Sequence, residues 1–185
     1  NYKESMEIYQ QVFKKDSTRH WANQMTMQQL YFLGREEEAQ EYATVLDSLV
    51  LYADLDATRY YHRIGFMLSL RGDKERAQWY FDKQIENSLE SIRNEDLVAF
   101  EKWVYYDLSA VYAFLGEKEK AYEYLEEYNT KKFESALMIT LFREDPLFNR
   151  IREEERFQRI FNEIQSKYQQ QHDKLQDYLD EEGII

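Results

Sequence analysis

Leu33-Gly34-Arg35-Glu36-Glu37-Glu38-Ala39, Arg71-Gly72-Asp73-Lys74-Glu75-Arg76-Ala77 and Leu115-Gly116-Glu117-Lys118-Glu119-Lys120-Ala121 are three versions of one phrase. In each, Gly is followed five residues later by Ala, with charged residues between. Apolar residues recur at helical spacing before each Gly, from Trp21 to Leu33, Tyr60 to Leu70 and Trp103 to Leu115. They do so again after each Ala, from Tyr42 to Leu51, Trp79 to Leu89 and Tyr122 to Tyr128. Glycine can end a helix in the left-handed conformation, and a small Ala lets the next helix come close to the first. The phrases therefore predict helix, tight turn, helix, three times over.

Composition agrees with an all-helical chain. With 5 Gly and 1 Pro in 185 residues there is too little turn chemistry for a many-stranded sandwich or barrel. A hydrophobic share of 43% is enough to bury a core in one or two domains. The absence of Cys rules out disulfides, thiolate zinc sites and a cysteine nucleophile. Acidic residues number 36 against 24 basic ones, for a formal net charge of −12. Such a surface repels phosphate backbones and anionic headgroups, so no direct nucleic-acid or membrane partner is expected. No stretch approaches the roughly 18 apolar residues of a membrane span, and no signal-peptide pattern is present. A cytoplasmic location is expected, although the opening Asn1 leaves room for a targeting signal upstream.

The phrase resembles the tetratricopeptide repeat, a helix hairpin of about 34 residues in which a Leu-Gly turn precedes a small Ala and then a large apolar residue. Phe81 and Leu125 fill the last place, and Ala43 fills it weakly. The opening Tyr2-Lys3-Glu4-Ser5-Met6-Glu7-Ile8-Tyr9 is similar to the second helix of an earlier repeat, with Ser5 34 residues before Ala39. Later spacings lengthen to 38 and 44 residues, and Ser17, Asp54 and Asn94 stand where a closing Pro is common. The resemblance covers about residues 1 to 130, and related helical-hairpin solenoids fit it too. It implies an all-α fold, an α-α superhelix with a long C-terminal capping helix. The expected organisation is repeats over residues 1–145, with a partial first repeat and hairpins around Gly34, Gly72 and Gly116, and a cap over residues 146–185.

Beyond Tyr128 the pattern changes. Phe133 to Phe142 reads as a further short helix, and Asp145-Pro146-Leu147-Phe148 as a break. From Glu153 onward Phe157, Phe161, Ile164, Tyr168, Leu175 and Tyr178 recur mostly at three- and four-residue steps, predicting one long amphipathic helix ending near Gly183. Its expected role is to cover the last hairpin, as solenoids require at their ends. A dimerising coiled coil is the alternative, with Gln171 on the seam and a length of only about three heptads weighing against it, so a monomer is expected over a homodimer. The Asp-Pro-Leu-Phe stretch with Arg156-Phe157 also resembles the close of repeat arrays at the C-termini of bacterial regulators and signalling proteins. That likeness implies an output domain upstream.

No constellation asks for catalysis, a cofactor or a metal. His20, His62 and His172 are far apart and lack ligand spacing. The runs Glu36-Glu37-Glu38 and Glu153-Glu154-Glu155 suit solvated helix N-termini. Phosphate loops and nucleophile elbows are absent. Arg71-Gly72-Asp73 spells a cell-adhesion tripeptide by chance, since it occupies a repeat turn.

The resemblance implies instead a non-catalytic scaffold binding a protein or peptide segment in a groove lined by the first helix of each hairpin. Counted back from the turn glycines, the groove positions are Trp21, Gln24, Gln28 and Tyr31; Arg59, His62, Phe66 and Ser69; and Trp103, Tyr106, Ala110 and Ala113. Trp21, Gln24, Gln28, Tyr31, Arg59, His62, Phe66, Trp103 and Tyr106 are the candidate binding residues, because aromatic and Arg side chains are enriched in recognition surfaces. Family members that clamp a C-terminal carboxylate use Lys and Asn where this chain has Gln24, Gln28, His62 and Phe66, so a carboxylate-ended ligand is not implied. The alternative function is a sensory or regulatory region that binds a small effector or its own output domain.

Overall fold

In the computed structural model, which describes residues 2–16, 18–57, 59–94, 98–131 and 135–183, all three phrase glycines close a helix with the same pair of hydrogen bonds. Gly34 N–H donates to Tyr31 O and Arg35 N–H to Leu30 O, both at 2.9 Å. Gly72 and Asp73 do the same to Ser69 and Leu68, and Gly116 and Glu117 to Ala113 and Tyr112. This is the Schellman arrangement, which needs a left-handed residue at its centre; the three φ values are +70°, +87° and +85°. A side chain at these positions would be strained whatever space surrounds it.

The fold is all-α. The described elements are α1 (Tyr2–Lys15), α2 (His20–Phe32), α3 (Glu36–Ala53), α4 (Tyr61–Leu70), α5 (Lys74–Arg93), α6 (Val98–Leu115), α7 (Lys118–Thr130), α8 (Ala136–Glu144), a 3-10 turn (Pro146–Phe148) and α9 (Glu155–Glu181). They form two compact units, residues 1–90 and 91–185, with α5 running across the division. Division by compactness differs from division by repeat. Repeats over 1–145 with a cap over 146–185 stand as our proposal for the second.

In the first unit α2 packs on α1 and α3, and α3 on α4. Ala39 and Ala77 are buried at the start of α3 and α5, followed by the buried Ala43 and Phe81. Helices α4 and α5 come close at Gly65: a Cβ there would lie 3.0 Å from Ala77 O and 3.1 Å from Tyr80 Cβ. Asp47, buried on α3, accepts a 2.8 Å bond from the Tyr80 hydroxyl and pairs with Arg76, both on α5. Burial, and then this bond, push the Tyr80 hydroxyl well above the usual tyrosine range. Asp54 ends α3 in the left-handed conformation, φ 51°, which a short polar side chain tolerates. Asn94 lies in the turn after α5, and Ser17 lies outside the described residues.

The second unit is built on an aromatic cluster. Tyr106 of α6 and Tyr128 of α7 meet Phe142 of α8 edge-on, with centroids 5.0 and 4.8 Å apart. Phe148, Phe157 and Phe161 extend the cluster to α9. Asp145 explains the break: its carboxylate accepts the Leu147 N–H, and Pro146 opens the 3-10 turn where a missing N–H costs nothing. Arg152 satisfies the end of α8, donating to the carbonyls of Phe142, Arg143 and Asp145. Phe133, which began the expected run into α8, lies outside the described residues.

Helix α9 changes character along its length. Phe157, Ile160, Phe161 and Ile164 are buried against α7 and α8 by a single chain. A polar fringe fixes this docking. Glu154 accepts from the Tyr122 hydroxyl at 2.8 Å and pairs with Lys118, while Arg156 reaches Glu119 and Glu126 at 3.0 Å and lies over the Tyr122 ring. Beyond Ile164 no described residue of α9 is buried, and Leu175 and Tyr178 are 57% and 54% exposed.

Candidate functional site

Helix α2 contains no Asp, Glu, Lys or Arg in its 13 residues, HWANQMTMQQLYF, in a chain that is 32% charged. Ala22, Asn23, Thr26, Met27, Gln29 and Leu30 point into the first unit. Steps of three, four and three residues then place Trp21, Gln24, Gln28 and Tyr31 on the opposite face. Trp21 is 42% exposed and meets the Tyr9 ring edge-on at 5.9 Å. Gln24 Nε2 donates to Gln28 Oε1 at 3.3 Å, and Tyr31 meets Phe66 of α4 edge-on at 4.9 Å. The result is a half-exposed stripe of ring, amide, amide and ring.

Charges at its ends are committed. Arg19, before α2, binds Asp16 at 3.2 Å, and Arg35, after it, binds Glu38 at 2.6 Å. Hydrogen bonds from Thr18, with Arg19 alongside, hold the Asp16 carboxyl below the usual carboxylate range, and Arg35 does the same for Glu38. At the start of α2, His20 Nδ1 lies 3.1 Å from the Tyr60 hydroxyl, which burial pushes well above the usual tyrosine range. Sequence spacing gave no signal of this His20 and Tyr60 contact, nor of the Gly65 approach.

The other expected groove residues do not join the stripe. Arg59 is exposed, but in the turn before α4. His62 is buried, with Nδ1 2.8 Å from Gln84 Oε1, which also accepts the His62 backbone N–H at 3.2 Å. Phe66 is buried against Tyr31, and Ser69 Oγ is turned back to the Phe66 carbonyl. At these positions the His62 and Phe66 side chains of α4 are taken up by packing with α5 and α2. The same holds in the second unit, where Tyr106, Ala110 and Ala113 are all 0% exposed and only Trp103 is half-exposed. Tyr106 is a core residue because α8 and the 3-10 turn cover it.

Among the described residues no group of three or more His, Cys, Asp or Glu side chains is placed to hold a metal ion. No helix among them is long and apolar enough to cross a membrane.

No protein-family model matches the chain, and no curated protein matches it. A crystal structure of MamA is similar at 18% identity, with a TM-score of 0.44 over 93% of this chain and 91% of that one. At that score the likeness carries no argument about what this chain binds.

Proposed function

We propose that this chain is a non-catalytic scaffold that recognises a protein or peptide segment, and that the face of α2 bearing Trp21, Gln24, Gln28 and Tyr31 is where it does so. The observation that carries this reading is the chemistry of that face. The outer face of a helix is ordinarily charged or polar, whereas this half-exposed one carries two large rings on either side of two amides, with no ionic group between them. Rings supply contact area at low entropy cost, and amides fix orientation. Helical hairpins in series hold such a face rigid, so little ordering opposes binding.

Peptides selected from a displayed random library against the whole chain test it. Trp21→Ala and Tyr31→Ala should each weaken the selected peptides by about 2 kcal/mol or more; the melting temperature should change little for Trp21→Ala and fall for Tyr31→Ala, whose ring also packs on Phe66. Selected peptides that bind both variants unchanged would move the binding surface elsewhere.

A further inference from the structure

We infer that the segment recognised along α2 is an extended, uncharged stretch of chain that presents two large apolar side chains four residues apart. This rests on the reading of α2 as the binding face and adds the class of partner. Three observations converge on it.

The first is distance. Trp21 and Tyr31 are ten residues apart on one helix, a rise of about 15 Å. An extended chain covers that in four to five residues at about 3.3 Å each, and alternate side chains share a face, so residues i and i+4 reach both rings from one side. A helical ligand would need residues ten or eleven apart for the same span, because its residues i and i+4 are only about 6 Å apart.

The second is the pair of amides between the rings. Gln24 donates to Gln28, which leaves an acceptor on Gln24 and a donor on Gln28. Turning both amides over exchanges the two roles and keeps one of each. The residues are one helical turn apart, a rise of about 6 Å, close to the roughly 6.6 Å over which an extended backbone repeats its outward N–H and C=O groups. A helical ligand has spent those groups on itself; an extended one still offers them.

The third is charge. The helix has no ionic residue, and the arginines at its two ends are paired with Asp16 and Glu38. A charged ligand side chain placed between Trp21 and Tyr31 would lose water and find no counter-charge on α2 itself, which is unfavourable. The net charge of −12 would draw a basic segment to the protein generally, but not to this face.

Calorimetry on the whole chain with capped seven-residue peptides decides the matter. The reference probe has Phe at its second and sixth positions and Ser, Ala and Thr between. A second probe moves the later Phe to the fifth position, which turns the rings to opposite faces. A third and a fourth carry Glu or Lys at the centre, and a further pair carry N-methyl groups on successive central residues. The reference should bind at least tenfold tighter than the second, third and fourth probes and than one of the N-methyl pair. Its affinity should change less than twofold between low and physiological salt. The double variant Gln24→Ala with Gln28→Ala should lose about tenfold for the reference probe, with an unchanged melting curve. Equal or tighter binding by a charged probe, or no penalty from either N-methyl group, would overturn the class of partner while Trp21→Ala still weakened binding. If Trp21→Ala and Tyr31→Ala leave every probe unaffected, it is the α2 reading itself that fails.

Discussion

The Tyr106 hydroxyl donates a 2.6 Å hydrogen bond to the carboxylate of Asp145, 39 residues away, with both side chains closed off from solvent. One contact thus joins α6 to the break that precedes the 3-10 turn. Tyr106→Phe keeps the ring and removes a bond to a charged acceptor, so stability should fall by about 1.5 to 3 kcal/mol. Tyr106→Ala also leaves a cavity and should lose about 3 to 5 kcal/mol. Urea unfolding of both variants measures this. A Tyr106→Ala variant that unfolded normally but bound peptide poorly would return the residue to a binding role.

Gly65 permits a close approach of α4 to α5. Helix propensity alone favours Gly65→Ala by about 1 kcal/mol. The added Cβ would meet the Ala77 carbonyl at 3.0 Å and the Tyr80 Cβ at 3.1 Å, backbone and branch-point atoms that cannot swing aside. Overpacking of this kind typically costs about 1 to 3 kcal/mol, so the net change should be destabilising. Ala77→Leu should act in the same direction. A Gly65→Ala variant that melts higher would show that the two helices can part without loss.

Acid should loosen the start of α9. Hydrogen bonds from Lys118 and Tyr122 hold the Glu154 carboxyl below its ordinary value of 4.5. A carboxyl depressed in the folded state contributes stability above its unfolded value, and that contribution is lost as pH falls through the folded one. Unfolding midpoints measured downward from about pH 6 should therefore drop more steeply for the wild type than for Glu154→Gln once the pH is below 4.5. Parallel curves would mean that the Lys118, Tyr122 and Glu154 contacts add nothing to stability.

Among the described residues, stopping the chain after Tyr168 removes only ones that are exposed or half-buried, and it should change stability by no more than about 0.5 kcal/mol. Phe157→Ala should lose about 3 to 5 kcal/mol, because that ring packs on Phe148 and Phe161. Stopping before Glu153 should expose the faces of α7 and α8 and lower solubility. Thermal melts and sedimentation separate these outcomes. A large loss on the first truncation would mean that the distal half of α9 carries part of the fold.

Local chemistry determined the helical hairpins. Gly34, Gly72 and Gly116 can be read as helix ends because a left-handed residue is a property of the backbone at that position, and the small Ala five residues on reports on its own neighbours. The Asp145-Pro146 break and the apolar seam from Phe157 to Ile164 were legible for the same reason. The depth of each groove position was not. Periodicity gives the angle of a side chain about its helix but not what lies beyond it. Gln24 and Tyr106 occupy equivalent places in their repeats, ten residues before the turn glycine, yet one remains half-exposed while the other is covered by α8 and the 3-10 turn. That cover comes from segments distant in sequence, whose apolar faces must themselves be buried. The sequence by itself determined that the chain is a series of helix hairpins and which face of each helix is apolar. Only the tertiary structure decided which helix faces stay open to solvent, because burial depends on which other elements come to rest there.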